Sequence, residues 1–195
     1  MPDLNITALA GLMGALTLSA CVSVLPEPAT PDALYRIQAQ ADGPVLSAGL
    51  TIREPEAPRV FSGAAMVSED ASGALRLVPG VEWAGPATRQ FQLALVDSFA
   101  QAGESAVLPE SGVATRYELS SRFKTFGFMD GDAVCDISLT LIETASRARV
   151  KSGNVRLSEP VLERNASVRA QTLKTVAEQC VAGVSAFSAS IESGS

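Results

Sequence analysis

The chain has 195 residues, of which 47% are apolar and 18% charged, and its formal net charge is −6. That balance suits one packed domain rather than a disordered chain, and an acidic chain without a Lys/Arg run argues against a nucleic-acid partner. The sequence holds no histidine, which excludes Ser-His-Asp and Cys-His sites, His-ligated zinc and histidine general bases.

The first element is a charge-free apolar run from Leu4 that ends in Leu18-Ser19-Ala20-Cys21. Such a run is shorter than the ~20 apolar residues a bilayer span needs, and it suits the core of a cleaved signal peptide. A small-residue pair before a cysteine is similar to a lipobox, so residues 1–20 are predicted to be a lipoprotein signal and Cys21 the lipidated first residue. The α-amino group alone gives the leader its positive charge, because Asp3 is its one charged side chain. The alternatives are an ordinary signal cut elsewhere or a buried N-terminal helix. Residues 21–32 contain Pro26, Pro28 and Pro31 and read as a semi-rigid tether to the lipid. Residue 22 is Val, not the Asp that typically retains lipoproteins in the inner membrane, so the predicted location is the outer membrane, facing the periplasm. That compartment is oxidising, which makes Cys135 and Cys180 candidates for a disulfide.

Residues 33–195 read as a single α+β domain. Strands are predicted at 33–39 and 45–53 by period-two alternation, with a stop at Glu54 to Pro58. Shorter strands follow near 63–67 and 74–78. Pro86 opens a helix whose Phe91, Ala94, Leu95, Ser98, Phe99 and Ala102 share one face, with Gln92 mostly on another and Gly103 as its close. A short strand at 106–108 precedes an antiparallel meander: 116–125, a tight reversal at Asp130-Gly131-Asp132, 133–144, and 147–157 with a break or bulge at Gly153. The chain ends in a helix from Ala166, capped by Asn165, with a stripe from Leu173 through Cys180 to Ile191. The predicted architecture is a two-layer sandwich, a mainly antiparallel sheet covered by two amphipathic helices. If helix covers sheet, the faces bearing Cys135 and Cys180 meet.

No P-loop, dinucleotide fingerprint, Gly-x-Ser-x-Gly elbow or Cys-x-x-Cys is present, and no catalytic residue or cofactor is assigned. Asp130, Asp132 and Asp136 are weighed as a cation site against a polar turn followed by a strand carboxylate. The turn is preferred because the further oxygen ligands of a calcium loop are missing, so no metal is expected. Asn165-Ala166-Ser167 matches a glycosylation sequon, read as accidental. Trp83 is the only tryptophan; it either packs beside the first helix or anchors an interface. Phe126, Phe128 and Met129 break the alternation, and either cover a sheet edge or form an exposed apolar tip. Trp83, Phe126, Phe128 and Met129 are therefore the candidate partner-binding residues.

The order of parts now has a precedent. Tyr35-Arg36-Ile37 after a proline-containing tether, Gly49-Leu50-Thr51-Ile52, Trp83-Ala84-Gly85-Pro86 opening a helix, then a meander and a C-terminal helix resemble the ABC-type transport auxiliary lipoproteins. The resemblance implies a non-enzymatic accessory of an MCE-type lipid transporter. Its partners would be a periplasmic MCE protein with its permease and ATPase, and its cargo class phospholipid or sterol-like lipid. Homo-oligomerisation stays open, as do a structural envelope lipoprotein with another partner and a lipid-binding carrier with an apolar pocket between helices and sheet.

Overall fold

The structure is a computed structural model that describes residues 30–39, 43–46, 48–99 and 106–190. In chain order its elements are β1 (Ala33–Tyr35), β2 (Leu50–Ile52), α1 (Arg59–Ser62), β3 (Ala65–Glu69), β4 (Leu75–Trp83), α2 (Ala87–Phe99), β5 (Ala106–Val107), β6 (Tyr117–Met129), β7 (Asp132–Glu143), β8 (Arg149–Pro160) and α3 (Ala166–Ala189). Residues Pro31–Ser195 form one compact unit.

Strand β6 is the spine of the sheet. One edge pairs antiparallel with β7 along its whole length, and β7 pairs antiparallel with β8, which is the predicted meander. The opposite edge of β6 is shared. Strand β2 pairs parallel with its first residues, Glu56 bridges Arg122 in the middle, and β3 meets it at Phe128. Beyond these, β5 pairs parallel with β2, β4 pairs antiparallel with β3, and β1 pairs parallel with β4. The eight-stranded sheet is thus mixed, and this corrects the expectation of a mainly antiparallel one. A third helix, α1, corrects the count of two. The parallel pairings of β1, β2 and β5 join strands of two or three residues to partners far along the chain, and β3 meets β6 at a single pair, so no local turn announces them.

Local chemistry explains the meander. Asp130 and Gly131 both have positive φ, 53° and 93°, the two-residue turn whose twist matches that of the flanking strands. In β6, Phe123 faces Ile137 while Thr125 faces Asp136, leaving Lys124 as an extra residue. That bulge shifts the alternation by one. Before it Leu119, Ser121 and Phe123 are buried; after it Phe126 and Phe128 are. The predicted break at Gly153 is absent: β8 runs through it, opposite Leu139, and the register shifts near Leu141 and Ile142 instead. A Cβ at Gly153 would lie 2.7 Å from Cε2 of Phe187, so the glycine makes room for a ring of α3.

Helices α2 and α3 pack against each other, and α3 lies across β7 and β8. The buried face of α2 is Phe91, Ala94, Leu95, Ser98 and Phe99 as its spacing predicts; Ala102 and Gly103 lie outside the described residues. Gln92 departs from the pattern. It is buried, donating to the carbonyl of Ile52 at 2.8 Å and accepting from Arg89 at 2.6 Å, which ties α2 to β2. Asn165 caps α3 by accepting from the N–H of Ser167 at 2.8 Å. Leu173, Val176, Ala177, Cys180, Val181 and Val184 are buried beneath it; Ile191 is outside the described residues.

Candidate functional site

Cys135 of β7 and Cys180 of α3 are bonded to each other, with Cα atoms 6.5 Å apart, inside the range disulfides occupy. Both are fully buried. The bond joins the sheet layer to the helix layer at the centre of the core. Cys21 and the predicted signal before it lie outside the described residues.

Of the two readings weighed for Trp83, Phe126 and Phe128, packing or an interface, the structure shows these side chains packed in the core. Their exposures are 2%, 3% and 3%. Strand β4 continues past Pro79 to Trp83, so the tryptophan ends a strand and points into the core. It stacks on Phe126, ring centroids 5.6 Å apart, and Phe126 stacks on Phe123 at 4.6 Å. Phe91 of α2 meets Phe123 edge-on at 5.0 Å. The bulge at Lys124 turns Phe126 and Phe128 inward, which is why no apolar tip forms. Met129, the last residue of β6, is half-buried. This ring cluster also fills part of the space between helices and sheet where a carrier would hold an apolar cargo.

The outer face of the meander is polar instead. Glu118, nearly buried, accepts from Arg53 at 2.9 Å and lies 3.5 Å from Arg147; the bond to Glu118, and then its charge, raise the pKa of Arg53. Asp136 is held by Arg156 at 3.1 Å and Asn154 at 3.0 Å, with Lys124 at 3.9 Å. Arg122, exposed, lies between these two groups. Positions 53, 122, 124, 147 and 156 make no run in the sequence, so the cation-rich face is visible only when strand alternation and pairing stack them. Asp132 accepts from Ser158 at 2.9 Å, and Asp130 sits in the turn. Among the described residues no three His, Cys, Asp or Glu side chains are grouped to hold a metal ion. None of the described helices is long and apolar enough to cross a membrane.

With this geometry in view, three comparisons bear on the chain. A family model described as the ABC-type transport auxiliary lipoprotein component matches residues 22–184. Among solved structures, protein XCC0632 from Xanthomonas campestris is similar with a TM-score of 0.73 and 18% identity, over 85% of this chain and 97% of that one. A second, an uncharacterized protein, gives a TM-score of 0.60 and 14% identity over 81% of this chain and 99% of that one. At such identities the likeness is one of fold. A search of curated proteins finds no match.

Proposed function

The chain belongs to the ABC-type transport auxiliary lipoprotein component family, and from that membership we propose that it is a non-enzymatic subunit of an MCE-type ABC lipid transport system. In this reading Cys21 carries the lipid, residues 21–32 tether the domain, and the domain faces the periplasm from the outer membrane. It acts by contact with a periplasmic MCE protein and the permease and ATPase behind it, and the transported lipids are phospholipid or sterol-like.

The observation that carries the proposal is the family match over residues 22–184, which spans nearly all of the predicted mature chain. The lipobox-like Leu18-Ser19-Ala20-Cys21 supports the anchor. The lack of histidine, and the pairing of Glu118 and Asp136 with arginines, favour a recognition role over catalysis. The alternative of an unrelated envelope lipoprotein is separated by the same experiment.

That experiment is in-cell crosslinking and recovery of the tagged chain, wild type and Cys21→Ser, with mass spectrometry of what accompanies it. The wild type should incorporate a palmitate analogue and recover an MCE protein. Cys21→Ser should incorporate none, because serine lacks the sulfur to which the lipid is attached, and should remain as the unprocessed precursor. Recovery of no MCE protein by the wild type overturns the transport assignment. Label retained on Cys21→Ser overturns the anchor.

A further inference from the structure

A cleft of about 780 Å3 opens where the end of β3, the β6–β7 turn and the loop before α3 converge. Its volume lies in the range of small-molecule sites, ~300–1,000 Å3. Arg169, in the first turn of α3, reaches into it. The guanidinium lies 4.3 Å from the ring centroid of Phe128 and donates to Oγ of Ser68 at 2.9 Å. Among the described residues no carboxylate is within ion-pair distance of it. Burial pushes its pKa down from the ordinary arginine value, so this half-buried cation is partly desolvated and, among the described residues, free to receive an anion through charge-assisted bonds.

The remaining groups define what fits. A guanidinium has five N–H donors, and Ser68 occupies one. The Ser68 hydroxyl accepts from Arg169, which leaves its own proton to donate. Arg164 is a second, exposed cation on the rim. Two carboxylates also line the cleft. Asp70 is engaged by the N–H groups of Ser72 and Ala74 and by Arg76 at 3.1 Å, and Glu163 is exposed. Asn165 already accepts from the first N–H groups of α3, so the attraction for an anion comes from the arginine and not the helix terminus. Phe128, 3% exposed, backs the arginine from the core side; half-buried Val161 lines the cleft, and Leu162 beside it is 90% exposed.

We infer that this cleft binds a phosphate group, monoester or diester, seated on Arg169 and Ser68 with Arg164 at the rim. A guanidinium fork pairs with carboxylate and phosphate alike, but a tetrahedral phosphate has further oxygens, pointing out of the plane of the fork, to meet Ser68 and Arg164 as well. The phosphate is either free or the headgroup of a lipid whose apolar part lies along Val161 and the exposed Leu162. The inference stands whether or not the chain works with a transporter.

Titration calorimetry on the full-length protein in non-ionic detergent tests it, with sodium phosphate and dihexanoyl phosphatidic acid as probes and sodium acetate as control. Saturable binding to at least one phosphate probe, at least ~10-fold tighter than to acetate, is expected, since phosphate offers more charge-assisted acceptors. Arg169→Gln should weaken it ~10-fold or more and Arg164→Gln ~3-fold, since each removes charge-assisted donors. Arg149→Gln, at the far end of β8, should leave it unchanged. Tighter binding of the lipid than of inorganic phosphate identifies a headgroup; equal affinity identifies a free phosphate. Absence of saturable binding to both probes overturns the inference. So does wild-type affinity in Arg169→Gln with a native circular dichroism spectrum, or, if that variant does not fold, wild-type affinity in Arg164→Gln.

Discussion

A side chain's neighbours, more than its type, decide what it does, and Trp83 is the case in point. Its chemistry suits a binding hot spot, yet it is enclosed by Phe126 and the rest of the core. Trp83→Ala is therefore expected to cost ~3–5 kcal/mol of stability, as large-to-small core changes do, measured by urea unfolding followed by circular dichroism. A variant that loses partner recovery while keeping wild-type stability would restore the interface role instead. Packing is one of the two sequence readings of Trp83; what sequence reasoning misses is that the residue ends a strand, because it stops that strand at Val78, before Pro79. The same reasoning misses Gln92 for a related reason: a polar residue beside the apolar stripe reads as solvated, and only the approach of the Ile52 carbonyl gives it a buried partner.

At the scale of elements, strand β6 turns on one residue. Because the side-chain period of a strand is two, a shift of one residue exchanges its faces. Deleting Lys124 should drive either the Leu119–Phe123 set or the Phe126–Phe128 set to the outer face, whereas Lys124→Ala keeps the bulge. The deletion is expected to abolish cooperative thermal unfolding and the substitution to leave the Tm within a few degrees, both read by circular dichroism. A deletion variant that melts like wild type would mean that the bulge moves freely along β6. The meander and the two long helices are legible because their signals are local: Asp130-Gly131 for the hairpin, Asn165 for the start of α3, and alternation or three- and four-residue spacing for the rest. Strands β1, β2 and β5 were not fully legible, since two or three residues carry too little periodicity to reveal a parallel partner. The cation-rich outer face shares that limit, its members coming from four separate stretches of chain.

At the scale of the fold, one covalent bond ties the sheet layer to the helix layer across their shared apolar core. Cys135 and Cys180 are separated by 45 residues, and closing a loop of that size restricts the unfolded chain by ~4 kcal/mol on the chain-entropy account. The Cys135→Ala, Cys180→Ala double variant should accordingly melt lower than the oxidised wild type, and reductant should lower the Tm of the wild type alone. Equal melting of both under oxidising conditions would reduce the pair to small buried hydrophobes. The bond was anticipated because both cysteines fall on apolar faces of long elements, where periodicity speaks clearly. Among the described residues β8 pairs only with β7, which leaves twelve residues of backbone ladder open on one side. Such a rim templates fibre growth when it is flat and greasy. Here Arg149, Lys151 and Arg156 line it, Pro160 closes it, and a kink near Val150 twists it, so two copies crowded side by side repel at the very place where they would otherwise zip together.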